Sequence, residues 1–328
     1  MKVLLTGAFG NVGKSTLDAL IARGHSVRIF DVDSPHNRKS AHSYEDHPSV
    51  EITWGDLRRS GDILQACTQD IDVVIHVAAI IPPLADKNLR LAEAVNVGGT
   101  ENLLKAMKGL KNPPRLMYTS SIAVYGDRVK NPYIYVTDPV NPNDDDFYAQ
   151  TKLSAERLIQ EAGIEWAIFR LTYIVSPERL QMDPLMFHMP LRTSIEICHT
   201  KDVGVALANA VTCEEIWGHI FHIAGGEKCR TTYEDYIGVM MDIFGLGSGI
   251  LPPEAFSTGK FHCGYMDTTR SQALLHYQEH TLDDYYREVK KKVSSWSWIT
   301  RLFKWAIREY LLNKSEFYGR SHKISLTG

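Results

Sequence analysis

At 328 residues the chain exceeds the usual size of one compact unit, and a hydrophobic content of 44% is enough to build a packed core. A net charge of −3 supplies no basic field for holding nucleic acid. No apolar run approaches the roughly 20 residues needed to cross a bilayer. The five cysteines, Cys67, Cys198, Cys213, Cys229 and Cys263, are scattered and contain no C-x-x-C pair, which points to a reducing cytoplasm and away from a zinc knuckle. The chain opens directly on the strand-like Lys2–Thr6, with no space there for a signal peptide.

Short apolar runs then alternate with stretches of helical period. Residues 3–5, 27–30, 73–76, 116–118 and 166–171 predict strands, and 11–23, 88–108 and 147–162 predict helices. Strands buried on both faces read as unbroken Val/Ile/Leu runs, so the pattern predicts an α/β fold with a doubly wound parallel sheet. After Leu171 the alternation fades into a Pro- and Met-rich stretch at 177–190, then a strand and helix within 195–210 and a strand around 220–224. The expected division is a dinucleotide-binding Rossmann domain over 1–171, a smaller substrate lobe over 172–293 with elements returning to the sheet, and an appendage over 294–328.

The first strand runs into Thr6-Gly7-Ala8-Phe9-Gly10-Asn11-Val12-Gly13, with glycines spaced G-x-x-G-x-x-G. Glycine allows a tight turn and close backbone approach to a pyrophosphate, whose charge the start of the next helix favours. Asp31 ends the second strand, where an acid grips the ribose hydroxyls of an adenosine and repels a 2′-phosphate, so NAD is favoured over NADP. Arg38 and Lys39 follow closely and read either as a surface pair or as groups that soften this preference. Gly13-Lys14-Ser15 echoes a phosphate loop, but the glycine required five positions earlier is Ala8, which excludes that reading.

Tyr148 and Lys152 stand four apart on a predicted helix and share one face. Bringing a tyrosine from about 10 to near neutrality takes roughly 4 kcal/mol, which the Lys152 ammonium and an oxidised nicotinamide would supply. In this scheme Tyr148 removes an alcohol proton as hydride leaves the carbon. Ser121, at the end of the strand before, hydrogen-bonds the oxygen that becomes a ketone, and Lys152 holds the nicotinamide ribose.

These pieces resemble the extended short-chain dehydrogenase/reductase superfamily, the NAD-dependent epimerase/dehydratase group, across roughly residues 1–290. The matching motifs are TGAFGNVG at 6–13, Asp31, Gly55-Asp56-Leu57, Val74-Ile75-His76-Val77-Ala78-Ala79, Asn96-Val97-Gly98-Gly99-Thr100, TSSIAVYG at 119–126 and YAQTK at 148–152. The resemblance implies that Asp56 and Leu57 border the adenine, that Ala78 and Asn96 lie along the cofactor, and that Ser121, Tyr148 and Lys152 are catalytic. It also implies a homodimer through the helices near 88–108 and 147–162.

The chain departs from the group in two places. Dehydratases of this kind carry an acidic residue just after the catalytic hydroxyl, whereas this chain has Ile122 and Ala123, which argues against elimination. Nucleotide-sugar enzymes often carry an asparagine where this chain has Tyr173. The expected reaction is therefore the interconversion of a secondary alcohol and a ketone on a sugar, polyol or hydroxy-lipid. A nucleotide-sugar 4-epimerase that retains NAD is one alternative, and a non-catalytic dinucleotide-binding redox sensor is another. Met186, Phe187, His188, Met189 and Arg192 are expected opposite the site, with core packing for the apolar ones, a surface charge for Arg192 and a structural histidine for His188 as the competing readings.

Near the end, helical projection of 298–312 gathers Trp298, Ile299, Leu302, Trp305, Ala306 and Tyr310 on one side and Arg301, Lys304 and Arg308 on the other. Such a helix either lies in a membrane interface, here at the inner face, or docks on the enzyme body or a second subunit.

Overall fold

In the computed structural model, which describes residues 1–180 and 182–319, twelve strands follow in chain order. They are β1 (Lys2–Thr6), β2 (Ser26–Asp31), β3 (Val50–Trp54), β4 (Val73–His76), β5 (Arg115–Ser121), β6 (Tyr133–Ile134), β7 (Trp166–Leu171), β8 (Tyr173–Val175), β9 (Ser194–His199), β10 (His219–Ile223), β11 (Arg230–Thr232) and β12 (Tyr265–Met266). Seven form one sheet in the order β10-β7-β5-β4-β1-β2-β3, with every pairing parallel.

Successive residues of β1 show why both faces are covered. Val3 and Leu5 enter a core shared with the helices Asn11–Ala22 and Thr200–Ala210, while Leu4 enters a second core with Ser60–Ala66, Thr100–Lys108 and Phe147–Gln160. The helix Thr200–Ala210 lies so close to Asn11–Ala22 that a Cβ at Gly204 would stand 2.3 Å from the Ser15 carbonyl oxygen. Strand order reverses between β1 and β4, and the crevice at their carboxyl ends is where such sheets take ligands.

The α/β parallel sheet read from the sequence is the one observed, with one strand more in its first half. β3 was not expected: it pairs only with β2 at the sheet edge, its residues are partly or fully exposed, and so it lacks an unbroken apolar run.

The smaller lobe carries a mixed sheet in which β9 runs parallel to β8 and antiparallel to β11. Its core includes Phe187 and Met189, with Met186 packed against it. The expectation that 183–193 faces the site is overturned. A tight turn at Pro184–Phe187 sends Phe187 inward against Phe256, with ring centres 5.3 Å apart, while His188 pairs with Glu316 and Arg192 donates to the Thr258 carbonyl.

The expected helix over 298–312 breaks at Phe303 into Ser297–Leu302 and Lys304–Leu312, and Leu311 and Leu312 enter the core of the smaller lobe. Among the described residues no helix is long and apolar enough to cross a membrane.

Candidate active site

A cleft of about 760 Å³ opens at the carboxyl ends of the central strands. Gly7, Phe9, Gly10, Asn11, Val12, Asp31, Asp56, Leu57, Ala78, Ser121, Tyr148 and Lys152 all line it. The structure thus brings these twelve sequence-predicted residues to one surface and leaves Gly13 and Asn96 behind it.

The glycine turn is tight because neighbouring backbone fills the space a side chain would need. Gly7 sits at φ +71°, and a Cβ there would lie 2.7 Å from Ala78 Cα. At Gly13 a Cβ would lie 2.0 Å from the Gly7 carbonyl oxygen, so this glycine lets the helix Asn11–Ala22 start directly on the turn. That helix has no side-chain cap at Gly10, and its first residues, Asn11 and Val12, line the cleft. Uncapped N–H groups at a glycine-lined helix start form a seat for an anionic phosphate group.

Asp31 closes the same end. Its Oδ2 accepts from the Phe9 N–H at 2.9 Å, and its Oδ1 accepts from the Val32 N–H at 2.8 Å and the Asn37 side chain at 3.1 Å. Burial pushes the Asp31 carboxyl up, and the two backbone N–H groups pull it back. A carboxylate offers about four acceptor positions, so Oδ2 keeps one for a ligand hydroxyl. Arg38 makes two 2.7 Å bonds to Asp33 and lies over the Trp54 ring, and neither it nor Lys39 lines the cleft.

At the other end, Asp146 caps the helix Phe147–Gln160 by accepting from the Ala149 N–H at 2.9 Å. This sets Tyr148 and Lys152 on the turns facing the end of β5. The Tyr148 hydroxyl meets the Ser121 hydroxyl; burial pushes the phenol up, and that hydrogen bond pulls it down. Lys152 Nζ donates to the Thr119 carbonyl at 2.8 Å and stands 5.9 Å from the Tyr148 ring centre. Burial pushes Lys152 down to about 7, opposed by the nearby Glu156 carboxylate, which Arg170 holds in a two-bond ion pair.

Asn96 works from behind the wall. Its amide donates to the Ile80 carbonyl and the Thr151 hydroxyl, at 2.9 and 3.0 Å, and accepts from the Ile80 N–H at 2.7 Å. It tethers the loop after β4 to the Tyr148 helix. A π-helical turn at Ala94–Gly99 lets the side chain reach inward.

Several lining residues carry no sequence signal that pointed to them. Arg179 spans from the smaller lobe to donate to the Phe9 carbonyl at 3.3 Å. His262 pairs through Nδ1 with Asp146 at 3.0 Å, and its Nε2 has no partner among the described residues. Both lie in segments without regular period, and no local motif surrounds either. Ile80, Ile81, Pro82, Tyr173, Ile174 and Cys263 complete an apolar wall.

The model of the NAD-dependent epimerase/dehydratase family matches residues 3–206, which hold the glycine turn, Ser121, Tyr148 and Lys152. This chain belongs to that family. Its relatives are named for different substrates. The chain is 35% identical over 163 residues to a 3β-hydroxysteroid dehydrogenase/Δ5→4-isomerase of Mycobacterium tuberculosis, covering 48% of this chain and 42% of that one. It is 28% identical over 172 residues to a D-erythronate dehydrogenase of Cupriavidus necator, covering 49% and 50%. It is 29% identical over 173 residues to a UDP-glucose 4-epimerase of Lacticaseibacillus casei, covering 51% and 49%. The chain spans about half the length of the curated relatives it matches.

Among solved structures, the UDP-glucuronic acid 4-epimerase of Bacillus cereus, in complex with UDP-glucuronic acid and NAD, superposes with a TM-score of 0.74 at 22% identity, over 90% of this chain and 99% of that one. The dTDP-glucose 4,6-dehydratase DesIV of Streptomyces venezuelae, with NAD bound, gives 0.76 at 21% identity over the same shares. Both likenesses establish the fold.

Proposed function

We propose that this chain is an NAD-dependent oxidoreductase that interconverts a secondary alcohol and a ketone on a small molecule. One observation carries the reading: the paired hydroxyls of Tyr148 and Ser121, with Lys152 buried beside them, line the same cleft as the glycine turn and Asp31. The uncapped helix start would hold the pyrophosphate of the dinucleotide, and Asp31 Oδ2 an adenosine ribose hydroxyl; a 2′-phosphate there would meet a carboxylate, which favours NAD over NADP. When bound, the nicotinamide supplies the hydride acceptor or donor and, in its oxidised form, a positive charge.

Tyr148 takes the proton from the substrate oxygen in oxidation and returns it in reduction, while Ser121 holds that oxygen by a hydrogen bond. Burial favours the neutral forms of both Tyr148 and Lys152, so the phenol gives up its proton when a cationic charge enters the cleft beside it. Lys152, fixed by Thr119, would hold the nicotinamide ribose.

The wall near Tyr148 favours a hydroxylated apolar ring over a nucleotide sugar. Ile80, Ile81, Pro82 and Ile174 line the cleft, and its two lining arginines stand elsewhere, Arg58 paired with Asp56 and Arg179 on the glycine turn. A nucleotide diphosphate bound beside Tyr148 would lack a guanidinium partner. Ile122 and Ala123 supply no acid, but His262 places a proton-carrying group in the same cleft, so the lining as a whole does not lack one.

The test is purified protein with NAD and, separately, a 3β-hydroxysteroid, D-erythronate and UDP-glucose, followed by absorbance of reduced cofactor and product analysis. Reduced NAD with the steroid supports the reading. Conversion of UDP-glucose with retained NAD and no net reduction replaces it with the epimerase, and NAD binding with no turnover of any candidate supports the redox sensor.

A further inference from the structure

The C-terminal helices dock with one side and leave the other uncovered. Docking uses Leu311 and Leu312 in the core of the smaller lobe, a bond from the Thr300 hydroxyl to the Phe244 carbonyl, and one from Arg308 Nε to the Ile250 carbonyl at 3.0 Å. Trp298, Leu302, Phe303 and Trp305 lie outside this contact and are 60, 71, 59 and 64% exposed. The break at Phe303 puts Leu302 and Phe303 on the corner between two short helices. Four large apolar side chains at this exposure within eight residues mark a surface that meets something else.

Charge decides between the candidates. Residues 287–314 hold eight basic side chains against two acidic ones, in a chain whose net charge is −3. Lys290, Lys291 and Arg301 have no acidic partner among the described residues, and Lys304 lies over the Trp305 ring. A second copy seated on this face would bring two such cationic segments together. An anionic bilayer meets the same segment with opposite charge and takes indole rings at its headgroup boundary. The rest of the chain is net negative and would be held away from that bilayer, which orients the molecule.

We propose that Ser297–Leu302 and Lys304–Leu312 form a docking surface for an anionic phospholipid bilayer. Trp298, Leu302, Phe303 and Trp305 enter the headgroup boundary, and Lys290, Lys291, Arg301 and Lys304 meet lipid phosphates. The helices lie on the surface, since neither is long enough to cross it. This inference stands on surface chemistry alone and is independent of the proposed reaction.

Truncation is unsuitable as a test because it would remove Leu311 and Leu312 from the core. The full chain is instead sedimented with phosphatidylcholine vesicles and with mixed phosphatidylcholine–phosphatidylglycerol vesicles, at low and high salt, while tryptophan emission is recorded. Two variants, L302S/F303S/W305S and R301E/K304E, change side chains that are exposed or, at Lys304, half-buried, and their thermal midpoints and NAD affinities report that the fold is kept. The expected result is binding to the mixed vesicles with a blue-shifted emission, weakened about tenfold or more by either variant, by high salt or by omitting phosphatidylglycerol. Equal partitioning of wild type and both variants, or no binding by wild type, overturns the proposal. So does a dimer that L302S/F303S/W305S abolishes in the absence of vesicle binding, which would assign the face to a second copy.

Discussion

The two ends of the cleft are walled by different material. At the glycine-turn end the wall is shaped by closely packed backbone: the turn over 7–13, the N–H groups at the start of Asn11–Ala22, and the strand end at Ala78 that closes on Gly7. At the Tyr148 end, beyond the fixed hydroxyls, it is side chain: Ile80, Ile81, Pro82, Tyr173, Ile174, His262 and Cys263, drawn from three separate stretches of sequence. A backbone wall tolerates no added atom, so it keeps one ligand class. A side-chain wall changes its ligand with a few substitutions, and the relatives that match about half of this chain are named for a steroid, a sugar acid and a nucleotide sugar.

The contrast breaks most readily at Gly13. Val in place of Gly13 would drive side-chain atoms into the Gly7 carbonyl, 2.0 Å from the ideal Cβ position, and the helix start must move away. G13V is expected to lose measurable NAD binding and to melt about 5 °C or more below wild type; calorimetric NAD titration with native affinity would show that the backbone wall is not the seat. A smaller effect is expected at Asp31. D31S removes the acceptor for the Phe9 N–H and the ligand hydroxyl, so NAD affinity is expected to fall about tenfold to a hundredfold while NADP gains relative to NAD. An unchanged NAD-to-NADP ratio would place cofactor choice elsewhere in the lining, for instance at Arg58 or His36.

The smallest effect concerns acid, which reaches both ends. His76 lies between the hydroxyls of Thr6 and Thr100 beneath the glycine turn, and His222 bonds Tyr125 beside the buried Glu156–Arg170 pair. Burial pushes them down to about 3 and about 4. In the unfolded chain each binds a proton below about 6.5, while the folded chain stays neutral until its lower value, so the unfolded state binds more protons across that window. Stability therefore falls as pH drops from about 6.5 to about 4, read as a lower thermal midpoint. A midpoint independent of pH over this range would show that these rings are not held neutral.

The same contrast explains what was legible in the sequence. Local motifs announce groups whose function depends on fixed spacing, so the glycine turn, Asp31 and the Tyr148–Lys152 pair were readable, each lying within a few residues of a strand end or on one helix face. Asn96 was readable as a position but not as a brace, because its partners Ile80 and Thr151 are 16 and 55 residues away. His262 and Arg179 reach the cleft through contacts spanning the two lobes, which no local period encodes. Met186, Phe187 and Met189 have the composition of a binding loop and of a core alike, and only tertiary packing assigns them to the core. The C-terminal segment differs in the same way: the projection takes 298–312 as one helix with Arg308 on a free cationic face, whereas the chain breaks at Phe303, Arg308 docks on the Ile250 carbonyl and Leu311 and Leu312 enter the smaller lobe.

The central claim is that Tyr148 moves the proton in an NAD-linked redox reaction, and Y148F tests it most directly, with turnover and NAD affinity measured on the same preparation. The variant removes one exchangeable hydroxyl from a helix that Asp146 still caps and Lys152 still ties to Thr119. The account predicts that turnover falls about a thousandfold while NAD affinity stays within a few fold. Turnover equal to wild type with NAD still bound would contradict it.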